Sequence, residues 1–183
     1  ILVRLFAIDA YRDHLKAGGG DQMVMIGYSD SNKDGGYLAA NWALYEAQEA
    51  ITSACAKAAV RLTIFHGRGG TVARGGGPAN RAIRAQPPGT VECRFRVTEQ
   101  GEVIASRYAD PDLAHRHLEQ VVSAVLLASA VSDSSEAPMA ADHWRGAMKT
   151  MAETARAEYR SLVYDTPGFI DFWRAVTPID EIS

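Results

Sequence analysis

The sequence predicts an α/β fold in which short parallel strands alternate with long helices and helix dominates. Three observations carry this. Two short apolar runs, residues 23–28 and 61–65, have strand length and are flanked by turn residues. A helix-length segment with one apolar stripe lies between them, and strand–helix–strand alternation points to a parallel sheet. A polar cluster and a glycine-rich cluster directly follow the two runs, at the end where parallel α/β sheets bind ligands.

Residues 1–17 read as a helix stopped by Gly18-Gly19-Gly20. Residues 23–28 form the first strand, and Ser29 to Gly36 a polar turn. The helix over 37–59 repeats Leu44, Ala47, Ile51, Cys55 and Ala58 at three- and four-residue steps, which makes one buried stripe. The second strand, 61–65, delivers the chain into His66 and the glycine-rich loop. Pro78 opens another helix. Gln86-Pro87-Pro88-Gly89 is a turn, and Phe95-Arg96-Val97-Thr98 a third strand. Asp110-Pro111 is an N-cap followed by a first-turn proline, starting a helix to about residue 130. Residues 131–140 are a small, polar loop. The last long helix carries Trp144, Met148, Met151, Ala155, Tyr159 and Leu162 on one face, and a shorter element covers 169–176. Trp42, Trp144 and Trp173 read as core. No repeat of solenoid period is present.

The 183 residues suit a single domain, and 22% are charged. A net charge of −3 and a pI near 6.0 give no global basic field for a nucleic acid or a membrane surface. The longest apolar run, Val121 to Val131, is broken by Ser123 and Ser129 and is shorter than the ~20 residues of a membrane span. Cys55 and Cys93 form neither a disulfide framework nor a zinc pattern, and read as buried thiols of a reducing, cytoplasmic compartment. The chain begins at Ile1 inside an apolar pattern, without an initiator methionine, and is expected to be cut from something longer.

Three segments hold the chemistry. The first runs from Phe65-His66-Gly67-Arg68-Gly69-Gly70 to Arg74-Gly75-Gly76-Gly77-Pro78, with six glycines and two arginines between positions 67 and 77. Glycines let backbone N–H groups approach a ligand, guanidinium groups grip carboxylate or phosphate, and a helix after Pro78 adds its positive end. These devices favour a small, multiply charged anion; the same composition also suits a flexible surface loop with solvated arginines. The spacing fits neither a Walker loop nor a dinucleotide fingerprint. The second segment is Tyr28-Ser29-Asp30-Ser31-Asn32-Lys33-Asp34. A carboxylate at Asp30, where a strand ends, suits Mg²⁺ or Mn²⁺, and Lys33 supplies a point charge; equally, Ser, Asp and Asn make N-caps and turns. The third, Arg94 to Glu102, is a strand with one wet face whose Arg96 or Gln100 could face a pocket, or simply a strand and a turn. His14, His115, His117 and His143 fall in predicted helices without metal-ligand spacing and have surface or packing roles.

Met23-Val24-Met25-Ile26-Gly27-Tyr28-Ser29-Asp30-Ser31-Asn32-Lys33-Asp34 resembles the metal-site segment of the phosphoenolpyruvate carboxylases. The stretch from Leu62 through the glycine-rich loop to Pro78 resembles that family's signature loop. Gln86-Pro87-Pro88-Gly89 and Arg96-Val97-Thr98-Glu99-Gln100-Gly101-Glu102 match in the same order, and Phe172-Trp173-Arg174-Ala175-Val176-Thr177-Pro178 matches more loosely. The similarity is densest over residues 22–108.

The resemblance implies addition of bicarbonate to phosphoenolpyruvate through carboxyphosphate and an enolate, giving oxaloacetate and phosphate, with Mg²⁺ or Mn²⁺ and without biotin. It implies a large helix-rich chain around an eight-stranded β/α barrel, assembled as a homotetramer. On that pattern residues 1–183 are a single partial domain, a partial (β/α) barrel of parallel strands with long flanking helices. Asp30 falls on a metal ligand and Lys33 on a lysine near the substrate. His66 and Arg68 fall on residues that hold substrate and carboxyphosphate. Arg74 falls on a mobile-loop arginine tied to bicarbonate use and to inhibition by malate and aspartate. Gly69, Gly70, Gly75 and Gly76 would bring backbone N–H groups to the substrate. The family's catalytic histidine in Gly-His-Pro-Thr, a second metal glutamate just before Ile1 and a later Gly-Ser-Arg-Pro segment are not in these residues. The isolated chain is therefore expected to be inactive. The alternative functions are a phosphate- or carboxylate-binding module without turnover, and a helical packing unit.

Overall fold

The computed structural model describes residues 1–27, 30–67, 78–99, 101–132 and 141–181. Two short helices, α1 (Leu2–Phe6) and α2 (Asp9–Ala17), precede strand β1 (Asp21–Ile26). A six-residue helix α3 (Asp30–Gly35) and a long helix α4 (Tyr37–Lys57) lead to β2 (Arg61–His66). Then come α5 (Ala79–Arg84), β3 (Arg96–Val97), α6 (Gly101–Tyr108), α7 (Pro111–Ser132) and α8 (Ala141–Arg160). A π-helical turn (Ser161–Asp165), α9 (Phe169–Val176) and a 3-10 turn (Pro178–Glu181) complete the described chain. It is a helix-rich arrangement around one small parallel sheet.

The sheet has the order β1-β2-β3, with Ile26 opposite His66, Phe65 opposite Arg96 and His66 opposite Val97. Because the strands are parallel, all three finish at the same edge. Paired residues share a face, and faces alternate along a strand. One face carries Gln22, Val24, Ile26, Leu62, Ile64, His66 and Val97. It is packed: Ile64 is 2% exposed and His66 1%. The other carries Met23, Met25, Thr63, Phe65 and Arg96, and is open: Met23 is 44% exposed and Met25 50%.

Two apolar clusters anchor the helices. Ala79 and Ile83 of α5 meet Ala124 of α7, with Phe95, Val97 and Val121 packed around them. Phe6, Leu15 and Cys55 form the second, joined by Tyr11, Ile51, Val60 and Leu62. The second cluster explains why residues 1–17 are not one helix. Ile8 takes an extended conformation (φ −90°, ψ 120°), and the break lets Phe6 and Leu15 reach the same buried thiol.

Both long strands and the long helix between them match the sequence expectation to within two residues, the first strand being shifted two residues earlier, to Asp21–Ile26. Asp110 caps α7 as expected, its Oδ1 accepting from the N–H groups of Asp112 (2.9 Å) and Leu113 (3.0 Å). Pro78 sits at the cap of α5 (ψ 133°) rather than inside its first turn.

Other expectations are corrected. The expected polar turn holds helix α3, and α6 had no counterpart in the sequence reading. Cys93 is exposed, while Cys55 is buried as expected. Trp144 (66% exposed) and Trp173 (40%) are not core residues. On α8 the inward line is Arg145, Met148, Ala152, Ala155 and Tyr159, with Met151 and Leu162 outside. The small Ala152 allows close approach to α4, and the Arg145 guanidinium binds both carboxylate oxygens of Glu49 there, Nη1 to Oε2 at 2.7 Å. Those two anchors turn Trp144 toward solvent. On α4, Gln48 rather than Ala58 is buried.

Candidate functional site

The parallel register brings the ends of the three strands, Ile26, His66 and Val97, to one edge of the sheet, while Arg94, at the start of the third segment, reaches back to Asp21 Oδ1 at the opposite end (2.7 Å). β1 ends at Ile26, and α3 begins at Asp30. β2 ends at His66 and passes through Gly67 to the glycine-rich loop. β3 ends at Val97 and continues into Thr98 and Glu99. Gly67 donates its N–H to the Ile26 carbonyl at 2.8 Å, and Thr98 donates to the His66 carbonyl at 3.1 Å, so the ladder runs beyond the strands into the segments themselves.

Gly67 has a steric reason to be glycine. A Cβ there would lie 3.1 Å from the Ile26 oxygen and 3.3 Å from Met25 Cγ. The absence of a side chain lets the loop leave close against β1. Arg68, Gly69, Gly70, Arg74, Gly75 and Gly76 lie outside the described residues. The helix after the loop, α5, has only six residues, so its dipole is shorter than the sequence argument assumed.

His66 is the most tightly buried of the candidate residues whose side chains are described. Its ring stacks on Phe95, centroids 4.7 Å apart and planes 27° off parallel. It faces the helix-covered side of the sheet, not the open side. Burial pushes its pKa down to about 4, so it is a neutral imidazole at pH 7. Its Nδ1 has no hydrogen-bond partner among the described residues. A neutral ring can donate or accept one hydrogen bond at this edge, but it contributes no positive charge.

Lys33 is exposed on α3. Asp30 begins α3; the structure describes its backbone, and its side chain lies outside the description. Among the described residues no three His, Cys, Asp or Glu side chains come together as a metal cage. The donor chemistry of α3 still fits a hard cation in part. Asp30 and Ser31 are oxygen-bearing residue types at the start of α3, and Mg²⁺ uses only one or two carboxylates beside water and ligand phosphates.

Arg96 lies on the open face, its guanidinium 4.8 Å over the Phe65 ring and Nη1 3.3 Å from Met23 Sδ. Sequence reasoning missed what surrounds Glu99. This largely buried carboxylate accepts from Arg107 Nη1 at 2.5 Å and lies 3.6 Å from His117 Nε2. Tyr108 joins it, its phenol pushed up by burial and by the Glu99 hydrogen bond. The cluster fixes the end of β3 against α6 and α7. Only Glu99 belonged to a recognisable motif; its partners sit on helices without any local signature.

The whole chain matches one family. A family model described as phosphoenolpyruvate carboxylase covers residues 1–183. The chain is 49% identical over 183 residues to the phosphoenolpyruvate carboxylase of Burkholderia mallei (strain SAVP1), with all of this chain and 18% of that protein covered. The enzymes so named from Roseiflexus castenholzii and Burkholderia vietnamiensis are also 49% identical, with 19% and 18% of their lengths covered. The chain thus spans about a fifth of the curated relatives it matches. No helix among the described residues is long and apolar enough to cross a membrane. A family model that matches every residue, with relatives at 49% identity over the whole chain, leads to one conclusion: the chain belongs to the phosphoenolpyruvate carboxylase family.

Proposed function

We propose that this chain is the part of a β/α-barrel phosphoenolpyruvate carboxylase that supplies the metal aspartate, the site lysine and the glycine- and arginine-rich anion loop. The complete enzyme would add bicarbonate to phosphoenolpyruvate and release oxaloacetate and inorganic phosphate. The observation that carries this reading is the shared edge: three parallel strands end on the same side at Ile26, His66 and Val97, just ahead of α3, Gly67 and the Thr98–Glu99 segment in sequence. The one-sided sheet supports a barrel wall, since such a wall has helices outside and side-chain layers inside.

In this reading phosphoryl transfer to bicarbonate gives carboxyphosphate and leaves an enolate, which then takes up the carboxyl carbon. The reacting groups carry most of their charge on oxygens, so catalysis rests on position and cationic stabilisation. Arg68 and Arg74 would bind anionic oxygens in two-pronged fashion. Gly69, Gly70, Gly75 and Gly76 would present backbone N–H groups, and Lys33 would add charge from α3. His66 would act as a neutral hydrogen-bonding ring. Asp30 would hold Mg²⁺ or Mn²⁺, which when bound supplies Lewis-acid stabilisation of oxygen charge. Biotin has no place in this scheme. Malate and aspartate, as dicarboxylates, would inhibit by engaging Arg74. A homotetrameric, cytoplasmic enzyme is the setting we propose.

The test has two arms. Bicarbonate-dependent phosphate release is measured for the isolated chain, with no activity expected because it carries only part of the proposed site. Mn²⁺ and phosphoenolpyruvate are then titrated into the chain and into Asp30→Ala and Arg68→Ala. Binding lost in both variants supports the retained half-site. Turnover by the isolated chain would overturn the partial-site reading, and binding indifferent to both substitutions would overturn the residue assignments.

A further inference from the structure

Helix α3 is held from behind by a segment far along the chain. Tyr164 Oη donates to the Lys33 carbonyl at 2.9 Å and Arg160 Nη1 to the Asp34 carbonyl at 3.1 Å, across 131 and 126 residues of sequence. These carbonyls belong to the last turn of α3, where the helix cannot supply its own donors. The preceding one, on Asn32, is taken by the Gly36 N–H at 2.9 Å. Three successive end carbonyls are therefore satisfied, two of them by side chains from the distant segment. Arg160 also brings a cation to the negative end of α3 and lies 4.7 Å over the Tyr164 ring, so the two donors brace each other.

The same segment touches Gly36, the residue after α3. Gly36 has φ +76°, and a Cβ there would lie 3.0 Å from Tyr159 Cγ. Both the backbone angle and the approach of the ring require glycine at this point. Beyond Arg160 the helix widens into the π turn Ser161–Asp165, with Thr166 Oγ1 donating to the Ser161 carbonyl at 2.9 Å. A π turn holds an extra residue and re-aims the side chains that follow it; such turns are rare and gather at functional sites. This one leaves Leu162 55% exposed, and Tyr164, aimed at α3, is itself 51% exposed. Burial is a poor explanation for the arrangement, and the pair of hydrogen bonds to α3 is a better one.

We propose that Arg160 and Tyr164 are positioning residues of the carboxylation site, acting through α3 to fix where Lys33 and Asp30 stand relative to the end of β1. The inference rests on the reading of α3 given under the proposed function. It assigns a role to the end of α8 and the π turn after it, which the sequence motifs do not reach.

The experiment uses the complete enzyme that carries this chain. Tyr164→Phe removes one hydroxyl and keeps the ring; Arg160→Gln removes the charge and the fork, and Arg160→Lys restores charge alone. Mn²⁺ affinity is read by electron paramagnetic resonance, alongside kcat, KM for phosphoenolpyruvate and melting temperature. Tyr164→Phe and Arg160→Gln are each expected to raise the Mn²⁺ Kd and KM about 3- to 10-fold, the range of one hydrogen bond. The melting temperature should move little, and Arg160→Lys should recover part of the loss. In a Lys33→Ala background Tyr164→Phe should raise KM less than it does in the parent, because part of its effect passes through that residue. Unchanged Kd and KM in Tyr164→Phe and Arg160→Gln, with or without a lower melting temperature, would overturn the positioning role while an impaired Lys33→Ala keeps the site reading intact. Fully additive effects in the double variant would also overturn it. Lys33→Ala and Asp30→Asn that both leave turnover and metal affinity unchanged would overturn the site reading and this inference together.

Discussion

The two faces of the small sheet are made from alternate residues of the same strands, yet they differ in almost every respect. The covered face carries Ile26, Ile64, His66 and Val97, packed against helices and largely dry. The open face carries Met23, Met25, Phe65 and Arg96, a mixture of apolar surface and a cation held over a ring. The difference teaches that alternation assigns side chains more firmly than motif membership does. His66 and Gly67 are neighbours in one signature, but the ring of His66 is committed to the core, while Gly67 leaves the edge beside Met25.

The sharpest way to break this contrast is to cut equal pieces from each face. Ile64→Ala on the covered face should cost about 2–5 kcal/mol of stability, the range for a buried aliphatic truncated to alanine. Met25→Ala on the open face should cost about 1 kcal/mol or less. Urea midpoints of the two variants measure the gap. Equal costs would mean that the open face is covered in solution.

His66 offers a second test, by pH. Its imidazole titrates near 4 folded and near 6.5 unfolded. Between those values the unfolded chain holds more proton, so stability is level above pH 6.5, falls as pH drops toward 4 and levels again below. The total loss should be about 3 kcal/mol. Denaturation at pH 7 and pH 4.5 checks the direction, and His66→Gln should flatten that part of the profile. A ring that titrates near 6.5 by NMR would place His66 in water and erase the contrast between the faces.

The smallest expected effect is at the boundary between them. Gly67→Ala puts a methyl group 3.1 Å from a backbone oxygen that cannot move aside easily, and should cost about 1 kcal/mol. Met25→Ala in the same chain relieves only the side-chain part of that crowding. The double variant should therefore stay less stable than Met25→Ala alone.

What could be read from the sequence follows from how local each cause is. β1 and β2 were legible because short apolar runs between turn residues leave few alternatives, and Asp110 because a cap acts on N–H groups two and three residues away. Asp30, Lys33 and His66 stood out through ordered motifs. The kink at Ile8 was hidden because its cause is Cys55, on another helix. Helix α3 read as a turn because its residues favour turns, while its final carbonyls are satisfied by Arg160 and Tyr164 from the far end of the chain. Trp144 was misplaced because apolar spacing gives a helix a stripe but not a bearing; Ala152 and the Arg145–Glu49 pair set that bearing. The Glu99 cluster escaped for the same reason: its partners are chosen in space, not along the chain.

One small asymmetry turns the molecule into its own instrument. Of the two cysteines, Cys55 is buried with its thiol pushed up in pKa, whereas Cys93 is exposed just before β3. Electrophiles attack accessible thiolate, so a nitroxide or a fluorophore would go to Cys93 without any engineered handle. The Cys93 backbone N–H is held by Ser129 Oγ at 2.8 Å, which ties the attachment point to α7. In the isolated chain a spin label there, with added Mn²⁺ as the second paramagnet, would show whether a metal binds within reach of the sheet.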